Sequence, residues 1–197
     1  MALTKIDWTE AALDALARDG LKAIAVEPLA RVLGTTKGSF YWHFTDRAAL
    51  IAATLERWEQ RATSEMIDRI QAITGPRERL TELATSAYAG AARGNAYAAM
   101  LAAASDPLVR AALDRVTRTQ LAFLRELYTD LGVPPDQAHR YAQLAFALYL
   151  GIGDLRLADP DNTPAGPELD AYLRLAVNAI LPPDHARAAG PPQADIP

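Results

Sequence analysis

The chain has 197 residues, 20 Lys and Arg against 24 Asp and Glu, three His and no Cys, and half of it is apolar. That length is enough for one or two soluble globular domains with a real core. Without Cys, disulfide frameworks, thiolate nucleophiles and Cys-ligated metal sites are excluded, and three histidines leave little for any metal site, so neither a metal nor a cofactor is expected.

Charges every few residues from Lys5 onward break any apolar signal segment, and the longest apolar stretches, such as Leu144 to Ile152, fall well short of the ~20 residues that span a bilayer. A cytoplasmic protein is expected. Alanine occurs 41 times, and no Asn-Gly or Asp-Gly hairpin separates alternating segments, so the composition favours helix.

Apolar residues recur at three and four positions between Gly and Pro punctuation, the helical period. The first predicted helix runs from about Asp7 to Arg18, with Trp8, Ala12 and Leu16 on one stripe before Gly20. A short second spans Val26 to Leu33 and stops at Gly34, a third runs from Thr36 to His43, and a long fourth extends from near Asp46 to Ile73. Five more follow: Pro76 to Arg93, Ala96 to Ala104, Pro107 to Leu131, Pro135 to Leu157 and Pro167 to Leu181. Prolines 76, 107, 135 and 167 stand at first turns, where a missing N–H costs nothing. The expected architecture is all-α with about nine helices. Residues 1–46 would form an N-terminal domain, 47–181 a helical bundle, and 182–197, rich in Pro, Ala and Gly, a disordered tail.

Two helices as short as the second and third cannot each bury a full face alone. Leu13, Leu16, Leu21, Ile24, Val26, Leu29, Leu33, Phe40 and Phe44 supply a shared three-helix core, and Gly34 supplies the left-handed residue of a tight turn, giving a helix-turn-helix. Phe40 and Phe44 lie four apart and face that core, which turns Lys37, Ser39, Tyr41, Trp42 and His43 outward. Such a cluster is costly to leave in water, and its donors suit phosphate oxygens while its aromatic edges suit bases.

With Gly20, Leu29-Ala30, Leu33-Gly34, Lys37-Gly38, Tyr41-Trp42-His43-Phe44, Arg47 and Leu50 in this order and spacing, the chain resembles TetR-type transcriptional regulators over residues 6 to about 50. The resemblance implies that Thr36, Lys37 and Ser39 approach the major groove of operator DNA, that Tyr41 and Trp42 contact bases or sugars, that His43 and Arg47 hold phosphates, and that Gly38 allows close approach. Where relatives often carry Ser or Thr, this chain has Ala25 and Val26, which removes a helix cap and a phosphate contact; Glu27 would sit badly beside phosphate. Residues 1–50 carry six basic and six acidic side chains, fewer positive charges than a typical DNA-binding domain.

The resemblance further implies a homodimer through the last two long helices, reading a palindrome. Their stripes are Ala142, Leu144, Ala145, Phe146, Leu148, Tyr149 and Ile152, and Leu169, Leu173, Ala176, Val177 and Ile180. It also implies a small-molecule effector that releases DNA, as in a repressor. Trp58, Met66, Tyr88, Tyr97, Met100, Phe123, Leu127 and Tyr149, large side chains among alanines, could line an apolar effector cavity. No constellation of catalytic groups appears, since Asp136 to His139 is the nearest approach to a metal pair and occurs once, so an enzyme is not expected. A helical interaction module that keeps the helix-turn-helix shape without binding DNA is the alternative, favoured by the neutral first domain.

Overall fold

The computed structural model describes residues 3–92 and 96–182, and the expected tail from residue 183 onward lies outside the described residues. Within them the chain forms ten α-helices and one short 3-10 turn: α1 Lys5–Asp19, the turn Leu21–Ala23, α2 Val26–Val32, α3 Lys37–Phe40, α4 Arg47–Ala62, α5 Ser64–Gln71, α6 Pro76–Ala92, α7 Ala96–Ala102, α8 Pro107–Asp130, α9 Pro135–Ala158 and α10 Pro167–Ile180. No strand interrupts the described residues. All four expected prolines open helices.

One more helix is present than the sequence pattern suggests because the long fourth segment breaks at Thr63. The Thr63 and Ser64 hydroxyls donate back to the Glu59 and Gln60 carbonyls at 2.6 and 3.3 Å. Such back-bonding competes with the main-chain ladder, and Thr63 leaves helical geometry at φ −124°.

α1 packs on α4 and α7, α4 on α8, and α6, α8 and α10 on α9, so α4 joins the N-terminal helices to the larger bundle. Charged pairs reinforce that joint. Arg57 on α4 donates to Glu10 of α1 at 2.6 Å and pairs with Glu65 of α5, while Arg115 of α8 grips Glu59 of α4 with both ends of its guanidinium at 2.7 to 3.0 Å. Buried tyrosines tie the bundle: Tyr128 donates to the Ile180 carbonyl at 2.9 Å and Tyr88 to that of Ala145 at 3.3 Å.

α10 turns its expected apolar stripe inward. Leu173, Ala176, Val177 and Ile180 are buried against their own subunit, and the outward face carries Ala171, Leu175 and Ala179 instead. On α9, Ala142, Ala145, Phe146 and Ile152 are buried while Leu144, Ala147, Gly151 and Leu155 are exposed. Both helices are apolar on two sides, so one face serves the core and the other is left over.

Candidate nucleic-acid interface and effector cavity

The N-terminal unit is built around Phe40. Its ring meets Trp8 edge-on at 5.4 Å, stacks on Phe44 at 5.4 Å and touches Tyr41 at 5.1 Å, and it has no exposed surface. Leu13, Leu16, Ile24 and Leu29 complete the core, with Leu21, Val26 and Leu33 partly buried against it, in agreement with the sequence pattern; Trp8, Ala12 and Leu50 extend it. The joint between α2 and α3 closes through Gly34 at φ +63°, and the Thr35 N–H donates to the Ala30 carbonyl at 2.9 Å.

Thr36 caps α3 by accepting from the Ser39 N–H at 3.3 Å. The helix itself is shorter than the pattern indicates. It ends at Phe40, and Tyr41 to His43 continue as a tighter turn in which the Trp42 and His43 N–H groups reach back three residues, to Ser39 and Phe40, at 3.4 and 2.9 Å. That tightening keeps Phe44 beneath Phe40 and turns the intervening side chains outward: Trp42 is 88% exposed and Tyr41 57%. Thr36, Lys37 and Gly38 are also exposed, and Ser39 and His43 half-buried. Thr36, Lys37, Gly38, Tyr41 and Trp42 are thus exposed, with both phenylalanines buried behind them.

A Cβ added to Gly38 would meet only the Thr36 hydroxyl oxygen, at an ordinary 3.5 Å. Nothing inside the chain demands glycine there.

Two basic groups of this set are engaged within the chain. Lys37 reaches Glu27 at the start of α2, Nζ to carboxylate 3.2 Å. Asp46 caps α4 through the Ala49 N–H at 2.8 Å, and the Arg47 guanidinium donates to the Ile24 and Leu21 carbonyls at 2.6 and 3.0 Å. The Leu21 carbonyl already accepts from the Ile24 N–H at 3.3 Å, and the guanidinium fork adds a second donor there while reaching the Ile24 carbonyl as well. Ala25 holds the cap position of α2 with no side-chain bond to offer, as its methyl group requires.

The second feature is a cavity of about 260 Å³ among α4, α5, α6, α8, α9 and α10. Of the eight residues the sequence nominated, Met66, Tyr88 and Tyr149 line it. Tyr97 lies behind the wall, its ring 5.8 Å from Phe146 and 5.9 Å from Tyr149, with Trp58 against Tyr97 at 5.8 Å, and Met100, Phe123 and Leu127 are buried in the core without reaching the cavity. Burial pushes the Tyr88 and Tyr97 hydroxyls above the usual tyrosine range. Both are occupied within the chain, Tyr88 on the Ala145 carbonyl and Tyr97 on the Thr117 hydroxyl at 2.5 Å. The remaining wall comes from Leu83, Leu124, Phe146 and Ile180, with polar groups from Arg61, Arg69, Ser86 and Gln120 that the aromatic pattern did not flag. Finding these from sequence would require knowing which helix faces meet.

Among the described residues no group of His, Asp or Glu could hold a metal ion, and no helix is long and apolar enough to cross a membrane.

Residues 9–54 match the family model for bacterial regulatory proteins of the tetR family. No curated protein matches the chain by sequence. Among solved structures, a TetR transcriptional regulator from Legionella pneumophila superposes with a TM-score of 0.76 at 14% identity, over 92% of this chain and 99% of that one. The Escherichia coli regulator NemR in reduced form gives 0.64 at 18% identity over 88% and 95%. The Bacillus subtilis regulator FadR, solved with stearoyl-CoA, gives 0.62 at 14% identity over 90% and 97%.

Proposed function

Through its N-terminal domain the chain belongs to the tetR family of bacterial regulatory proteins, and on that premise we propose that it is an effector-responsive repressor that binds a palindromic operator as a homodimer. The observation that carries this reading is the outward aromatic-basic edge of α3: a tryptophan 88% exposed beside Tyr41 and Lys37, rooted on two buried phenylalanines. An isolated soluble domain gains nothing by showing water such a surface, whereas duplex DNA offers phosphates and base edges to cover it.

In this reading Thr36, Lys37, Gly38 and Ser39 enter the major groove, Gly38 because a side chain there would hold the helix off the bases. Tyr41 and Trp42 meet bases or sugars, and His43 meets a phosphate. Arg47 first fixes α4 to the 3-10 turn and presents its remaining N–H groups to the backbone. Residues 1–46 act as the reading domain and 47–181 as the effector and dimerisation domain.

The dimer forms through the leftover faces of α9 and α10. Leu144 and Leu155 on one helix and Leu175 on the other are about half or more exposed, with Ala147, Gly151, Ala171 and Ala179 between them allowing close helix approach. Two-fold pairing there would set the reading domains on successive major grooves, about 34 Å apart. A ligand in the cavity that favours the DNA-incompetent arrangement would release the operator.

Selection of binding sites from a random duplex library tests this: an inverted repeat with half-sites about one helical turn apart is expected. Recovery of no motif would leave the interaction-module alternative, which the neutral charge of the first fifty residues favours.

A further inference from the structure

The cavity wall is mostly apolar, with polar groups from Gln120 and Arg61 and, elsewhere, from Arg69 and Ser86. Gln120 on α8 donates through Nε2 to the Ala62 carbonyl at 2.8 Å, and its Oε1 is buried with no hydrogen-bond partner among the described residues. Rotating the amide would set oxygen against the Ala62 carbonyl, so Ala62 fixes the acceptor where it stands. A buried acceptor without a donor is a rare and costly arrangement unless a guest supplies one. Next in sequence to Ala62, Arg61 also lines the cavity, and its Nη1 donates to Glu10 of α1 at 2.8 Å. A second cation, Arg69, lines another part of the wall, where it reaches the Ser86 hydroxyl at 3.4 Å and Glu82 at 3.7 Å. A volume of 260 Å³, at ~30 Å³ per water, holds roughly ten non-hydrogen atoms.

We propose that this cavity takes a small aliphatic hydroxy-carboxylic acid, its hydroxyl donating to Gln120 Oε1 and its carboxylate received by Arg61, which leaves Glu10 to do so. The proposal rests on the effector reading of the cavity given above and adds the ligand's chemical class and its route to the reading domain. A bare carboxylate would set negative oxygen beside the Gln120 acceptor; a hydroxyl close to the carboxylate supplies the missing donor. Tyr88 does not compete for that role, because its hydroxyl is already bound to Ala145.

The consequence for signalling follows from where Arg61 now points. Glu10 belongs to the reading domain and holds two arginines of α4, Arg57 at 2.6 Å and Arg61 at 2.8 Å. Ligand capture of Arg61 removes one of those two ties and loosens α1 against α4. Competition of this kind is reciprocal, so whatever weakens the Glu10 tie must strengthen ligand binding.

Calorimetric titration of the full chain with 3-hydroxyoctanoate, octanoate and octan-1-ol tests the inference. The hydroxy acid should bind about tenfold or more tighter than the alcohol, the scale of a charge-assisted hydrogen bond, and several-fold tighter than octanoate. Arg61→Gln should collapse the preference for the acid, weakening 3-hydroxyoctanoate about tenfold and octan-1-ol far less, and Arg61→Lys should keep part of it. Gln120→Leu should erase the advantage of the hydroxyl. Glu10→Gln should tighten 3-hydroxyoctanoate and leave octan-1-ol unaffected, a gain that damaged packing cannot produce. Equal binding of all three probes, or an acid preference that survives Arg61→Gln, overturns the inference while the cavity stands as an effector site. Binding of none of them overturns both.

Discussion

The two functional regions sort their aromatic residues in opposite ways. Around α3, four aromatics within five residues divide cleanly, Phe40 and Phe44 inward and Tyr41 and Trp42 outward. In the bundle, Trp58, Tyr88, Tyr97, Phe123, Tyr128 and Phe146 are all buried, whether they border the cavity or stand far from it. A short helix over a single small core has one inside, so spacing alone tells which residue is free for a partner. A bundle helix has neighbours on several sides, so burial says nothing about which side holds a ligand.

Substitutions sharpen that contrast. Phe40→Ala should be the most damaging, destabilising the N-terminal domain by about 3–5 kcal/mol in urea unfolding, since the ring is fully buried and touches three others. Leu175→Glu, a change on an exposed position, should leave the subunit folded yet shift light-scattering mass from dimer toward monomer, because a charge is placed on the face assigned to the partner helices.

Glu27→Gln should act in the other direction. It removes an acid next to the contact face and releases Lys37, so duplex affinity should rise and the slope of log affinity against log salt should steepen by about one. The smallest effect is expected from acid. The Asp7 carboxyl is held below its ordinary range by the Thr4 backbone N–H, 2.6 Å away, and by the Thr4 hydroxyl at 2.8 Å. A carboxyl with a depressed folded-state pKa contributes stability above the ordinary carboxylate range and loses it as pH falls through the folded value. Asp7→Asn should therefore lower the urea midpoint slightly at pH 7, by an amount that shrinks as the pH falls below the ordinary carboxylate range.

Much of the N-terminal region was legible in the sequence because its signals are local. Gly34 announced its positive φ and the spacing of Phe40 and Phe44 announced the core side, while in the bundle prolines announced four helix starts. What escaped depended on contacts distant in sequence. The carbonyls of residues 21 and 24 claim Arg47, and α10 spends on its own subunit the stripe assigned to a partner; the exception is local, the hydroxyls of Thr63 and Ser64 reaching four residues back and dividing the fourth helix. The cavity's polar corner was missed for the same reason: Gln120 is an ordinary residue of a helix face until Ala62, 58 positions earlier, is set against it.

Fluorescence anisotropy with the duplex upstream of the protein's own gene, comparing wild type with Tyr41→Ala/Trp42→Ala, tests the central claim most directly. The account predicts salt-dependent wild-type binding well above that to random duplex. The double variant should lose that binding while its thermal unfolding stays within about 2 °C, as surface changes of under ~0.5 kcal/mol allow. Undiminished binding by the variant, or wild-type binding no better than to random duplex, would contradict it.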